Sequence, residues 1–210
     1  MRTSPDVDAR PTGSQPRTFV PLIAALILLG VFATAVGLGQ VLGIPLPAFS
    51  FGGLLTDESA MKPSQPTRIT IPSIGVRADV VEVGNTPDGS IAAPTEDPIG
   101  TAGWYGFGPT PGEAGTAIIV GHVDTSDKPA VFHQLRELKP GKLIEVRRED
   151  RRVATFTVES VESFPKTAFP TDRIFADTGT PRLALITCGG AWIGGEMGYA
   201  DNVIVFARLA

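Results

Sequence analysis

Cys188 and His122 are the residues of this sequence best suited to covalent chemistry. The chain has one cysteine, so no intramolecular disulfide can form, and with two histidines it lacks the soft ligands of a structural zinc site. The sulfur is either a small buried hydrophobe or a working thiol. A thiolate is a strong nucleophile, and a nearby imidazole can take up the thiol proton and later deliver it to a leaving amine. Such a pair is equipped for acyl transfer and lacks only a donor for the tetrahedral oxyanion.

Both residues stand where a buried strand stops. One segment reads Ile118-Ile119-Val120-Gly121-His122-Val123-Asp124, the other Leu185-Ile186-Thr187-Cys188-Gly189-Gly190. A strand can hold a reactive group rigidly, and adjoining glycines permit close approach of backbone or substrate. Taken singly, each residue has a plainer reading: packing for Cys188, and bonding to backbone at a strand end for His122. His133, between Phe132 and Gln134, reads as a surface or packing residue. Asp124 reads as a cap on the turn after His122 or as a group that orients a side chain there.

The elements that must position these groups are mostly strands. Arg68–Ile71 and Val76–Val83 alternate apolar and polar residues, Thr116–Val120 and Leu183–Thr187 are continuously apolar, and Val203–Phe206 lies near the end. Lys142–Arg148 and Val153–Val161 flank the charged turn Glu149-Asp150-Arg151, a hairpin signal. Helix signal is thin: Val131–Leu138 places Val131, Leu135 and Leu138 on one face. Short strands separated by Gly- and Pro-rich turns predict a mainly β domain closed into a barrel. The net charge of −4 offers no basic face for nucleic acid.

Ahead of this domain the composition changes. Residues 1–18 are polar and Pro-containing, and read as a cytoplasmic tail. Residues 19–42 read as a transmembrane signal-anchor helix: Phe19 to Val41 carries no charge, and about 23 residues at ~1.5 Å each span roughly 34 Å. A cleaved signal peptide would have a shorter apolar stretch and a small-residue cleavage site. Arginines precede this segment and the first basic residue after it is Lys62, so the positive-inside rule puts the bulk of the chain outside the cell membrane. Residues 43–66 read as a Pro/Gly-rich linker, and 67–210 as the catalytic domain.

The Gly121-His122-Val123-Asp124, Ala130-Val131-Phe132, Thr187-Cys188-Gly189-Gly190 and Tyr199-Ala200-Asp201-Asn202-Val203 segments resemble the sortase family, most of all its actinobacterial class F. The resemblance runs from about Thr67 to Ala210. It implies an eight-stranded β-barrel with short helices and a transpeptidase that uses no cofactor. Cys188 would cut a sorting signal similar to Leu-Pro-x-Thr-Gly near the C-terminus of a secreted protein, forming an acyl-thioester. A cell-wall precursor amine would resolve the thioester, with His122 as proton donor and acceptor.

The chain departs from that pattern at one point. Sortases place an arginine about a dozen residues after the cysteine, yet none occurs between Cys188 and Arg208; Ala200 and Asn202 occupy that region. Arg208 and Arg182 lie too far along their strands. Arg173, in the loop before the Cys188 strand, and the amide of Asn202 are the candidates for the oxyanion or substrate role, with Asp124 and Thr187 as further neighbours of the pair. The missing arginine leaves open a binding protein that keeps the fold without useful catalysis. An L,D-transpeptidase is disfavoured, because its histidine lies close to its cysteine in sequence.

Overall fold

The computed structural model describes residues 60–95, 100–176, 179–195 and 198–210. The tail, the anchor segment and the linker up to residue 59 lie outside the described residues. Among those described, no helix is long and apolar enough to cross a membrane.

Eight strands make a closed barrel in the order β1-β2-β3-β4-β7-β8-β6-β5. They are β1 (Pro66–Ile71), β2 (Val76–Val83), β3 (Ala102–Tyr105), β4 (Gly115–Val120), β5 (Leu143–Arg148), β6 (Val153–Pro165), β7 (Pro181–Gly194) and β8 (Gly198–Leu209). Pairing is antiparallel except for β2 with β3 and β4 with β7, which are parallel. The barrel closes through β1 and β5, antiparallel.

The alternating and continuous apolar patterns have different causes. Ile69, Ile71, Ile144, Val146, Phe156 and Val205 fill the interior. On β4, β7 and β8 the outward series is buried as well: Ile118, Val120, Ala184, Ile186, Ile204 and Phe206 form a second cluster with Ile174. Phe164 and Phe169 pack against it. Ile174 ends the short helix α1 (Thr171–Ile174) in the β6–β7 connection, so that connection covers the outer face of these three strands. Strands buried on both faces must read as unbroken apolar runs.

Two elements differ from the sequence expectation. β3 reads Ala-Gly-Trp-Tyr, too short and too mixed to show a period, and pairing on both sides makes it a strand. Val131–Leu138 forms a turn followed by a 3₁₀ segment at Leu135–Glu137 rather than an α-helix. Phe132, Leu135 and Leu138 are the buried residues there, a spacing of three that suits the tighter helix.

Residues just before β1 pack on the barrel. The Met61 amide donates to Gly112 O, and Met61 lies against the core. Arg148, 1% exposed, donates from Nη1 to Pro111 O (2.6 Å) and from Nη2 to Lys62 O and to Asp150 (3.2 Å). A buried guanidinium needs such carbonyl and carboxylate partners, so Arg148 holds the entering chain to the barrel.

Candidate active site

The parallel pairing of β4 and β7 brings the two strand ends together. Its register matches Val120 with Ile186. The ladder continues one residue further, because the Gly121 amide donates to Ile186 O at 3.1 Å. Two residues beyond the matched pair lie His122 and Cys188, on neighbouring chains spaced ~4.8 Å apart. On the other side of β7, Asn202 of β8 is the partner of Cys188. His122, Cys188 and Asn202 therefore sit side by side across three adjacent segments. Since Ile186 and Ile204 belong to the outer cluster, the period of two puts Cys188 and Asn202 on that outer face and Thr187 on the inner one.

His122 is anchored from two directions. Its carbonyl accepts from the Phe132 amide (2.9 Å), and Nε2 lies 2.8 Å from Pro94 O. A carbonyl can only accept, so Nε2 carries the hydrogen and Nδ1 holds the lone pair of the neutral ring. Gly121 is required for this anchoring: a Cβ there would come within 2.6 Å of the Phe132 ring and of Val131.

Cys188 is half-buried, and no hydrogen bond joins its thiol to the imidazole. Both line one open cleft of about 600 Å³, with Asp124, Lys166, Trp192 and Tyr199 around them. The Tyr199 hydroxyl donates to Asp124 Oδ2, tying the loop after β4 to the β7–β8 hairpin. That bond, with burial and the charges of Asp124 and Cys188, raises the Tyr199 pKa above its ordinary value. Trp192 meets Tyr199 edge to face, ring centroids 5.1 Å apart. Asp124 thus receives a side-chain partner from across the site, where the sequence offered turn capping or orientation. Tyr199 entered the sequence reading only as the first residue of the Tyr199–Val203 segment, with no role of its own.

The glycines after Cys188 have a packing role. A Cβ on Gly189 would lie 2.7 Å from Val203, and one on Gly190 would run into the Asp201 carboxylate; Gly190 also has φ +77°. They allow β7 and β8 to close on each other beyond the cysteine.

Arg173 is held elsewhere. Its guanidinium makes a two-pronged pair with Glu162 (2.7 and 2.8 Å), donates to Ser160 (3.3 Å) and stacks on Phe206, Cζ 3.7 Å from the ring centroid. Phe206 is four positions along β8 from Asn202, roughly 13 Å at ~3.3 Å per residue. Arg173 lines neither cleft that Cys188 borders. Arg182 and Arg208 face each other at the far end of the β7–β8 ladder, both beside Glu159 (3.2 and 3.9 Å). Thr187 is buried next to Cys188, and its hydroxyl has no hydrogen-bond partner among the described residues.

The comparisons with known proteins agree with this architecture. A family profile described as "Sortase domain" matches residues 69–210. No curated protein sequence matches significantly. Among solved structures, sortase A of Corynebacterium diphtheriae (lid mutant) is 17% identical, with 79% of this chain and 82% of that one covered and a TM-score of 0.54. Sortase C-1 of Actinomyces oris is 19% identical over the same shares, also at 0.54. Sortase C of Clostridium perfringens SM101 is 16% identical over 72% of each chain, at 0.51. These structures share the fold, and with the profile spanning most of the sequence, the chain belongs to the sortase family, whose members are generally cysteine transpeptidases.

Proposed function

We propose that this chain is a membrane-anchored, extracytoplasmic class F sortase that cuts a Leu-Pro-x-Thr-Gly-like signal and transfers the acyl fragment to a cell-wall amine. The observation that carries the reading is the β4–β7 register, which sets His122 beside Cys188 in one cleft. His122 Nδ1 takes the thiol proton, and the thiolate attacks the threonine carbonyl of the signal. As the C–N bond breaks, the imidazolium protonates the leaving glycine amine, leaving the acyl-thioester on Cys188. An incoming amine then gives a proton to His122, forms the new C–N bond and displaces the thiolate. Asn202, the β8 partner of Cys188, is the side chain to which this reading gives the oxyanion. Class, anchoring and signal rest on the sequence resemblance and on the uncharged stretch from Phe19 to Val41.

The test is incubation of the full chain in detergent with a signal peptide and an amine, reading ligated product and the acyl-enzyme by intact mass. The reading predicts both species, and their loss in Cys188→Ala. Turnover that survives that substitution would sink it.

A second reading is a sortase-fold binding protein without useful catalysis. It is favoured by one observation: no arginine lines either cleft beside Cys188 from β8, where Ala200 and Asn202 stand. Stoichiometric peptide binding with no acyl-enzyme would support it, whereas repeated turnover would exclude it.

A further inference from the structure

Cys188 also borders a second cleft, of about 420 Å³, which His122 does not line. Thr187, Gly189 and Val203 continue the inward series of β7 and β8, so this cleft opens at the barrel end, beneath the turn that carries His133 and Arg136. Its character is that of a site for an anion. Among the described residues, no carboxylate lines it. Arg136 is exposed on its rim, and none of the ion pairs among the described residues involves it. His133 is exposed beside it, its Nδ1 bonded to Ala130 O at 3.1 Å and its Nε2 not engaged by that bond. Thr187, 4% exposed, brings to the same cleft a buried hydroxyl without a hydrogen-bond partner. Buried hydroxyls are nearly always bonded, so this one has a donor to offer a ligand atom that reaches it from the cleft.

Acyl transfer requires two substrates to reach one sulfur. While the acyl fragment occupies the cleft shared with His122, the second cleft gives the amine its own approach. We propose that this second cleft binds the carboxylate of the incoming amine, so the preferred acceptor is an amino acid or short peptide amine that also carries a free carboxylate. Arg136 pairs with the carboxylate and Thr187 donates to it. The amine nitrogen attacks the thioester carbonyl: the C–N bond forms, the C–S bond breaks, and the amine proton passes through His122 to the Cys188 thiolate. This assignment rests on the transpeptidase reading above.

Triglycine and its C-terminal amide are suitable probes, since they present the same amine and differ in the carboxylate. The full chain in detergent is acylated with a signal peptide, and the ratio of aminolysis with triglycine to that with triglycinamide is measured. A ratio of at least about fivefold is expected in the wild type, falling toward one in Arg136→Gln and in Thr187→Val, and partly kept in Arg136→Lys. Because both acceptors meet the same acyl-enzyme, the ratio is insensitive to a general loss of folding or acylation. An acyl-enzyme that uses the two probes equally, or an Arg136→Gln protein that keeps the preference, overturns the acceptor site alone. Failure to form any acyl-enzyme overturns the transpeptidase reading and the acceptor site with it.

Discussion

The Pro94 carbonyl accepts from Nε2 of His122 and leaves Nδ1 with the lone pair of the neutral ring, the atom that the proposed mechanism uses as base. His122→Ala is expected to lower the acylation rate by ~10²–10⁴, the usual range for a general acid–base, measured by acyl-enzyme formation with a signal peptide. Asn202→Ala is expected to cost ~10² in the same assay, if its amide serves the oxyanion. Ala200→Arg makes the opposite prediction: a guanidinium on β8 should accelerate acylation by about tenfold or more, since Arg173 is bound to Glu162. Tyr199→Phe removes the bond to Asp124 and should lower the midpoint of chemical denaturation slightly.

Among the elements, the segment joining β4 to β5 decides where His122 stands. Phe132 is fully buried, donates its amide to His122 O and packs against Gly121. Gly121→Ala forces Phe132 and Val131 to move, an overpacking expected to cost ~1–3 kcal/mol. Denaturant midpoints measure the stability, and acylation should fall with the displaced histidine. The β6–β7 connection is fastened through Arg173 and Glu162. The hydrogen bond from Arg173, then that from Ser160, holds the Glu162 carboxyl below its ordinary value of 4.5. A depressed carboxyl stabilises the fold above its ordinary pKa and loses that contribution as pH falls through the lowered value. Protection factors of residues 166–176, with the intrinsic pH dependence of exchange divided out, are therefore expected to fall below about pH 4.5. The pair is partly exposed, so screening keeps the effect under about 1 kcal/mol.

At the scale of the whole molecule, the barrel is a wall that the β6–β7 connection covers from outside. β4, β7 and β8 are buried on both faces, and the site lies where this double burial ends. Arg148 fastens the chain entering β1 to the loop before β4. Arg148→Ala leaves the Lys62 and Pro111 carbonyls without their partner and empties a buried volume. A loss of ~3–5 kcal/mol is expected, with faster proteolysis near residues 61–65 as the local readout.

Much of this was legible in the sequence by itself. The apolar runs and alternating patterns showed most of the strands, because burial on one or both faces writes itself into composition, and the lone cysteine and the histidine after a buried strand singled out the candidate pair. The segment resemblances identified the family, which the domain match bears out. Pairing register is another matter, since it depends on chains distant in sequence. Nothing local in Val120 or Ile186 says that they are neighbours, and that parallel match is what places His122 beside Cys188. The same holds for the Tyr199–Asp124 bond and for the capture of Arg173 by Glu162 and Phe206. Residue types and strand patterns named the candidate pair; only closure of the barrel decided what surrounds it, because those contacts join segments whose sequences carry no record of each other.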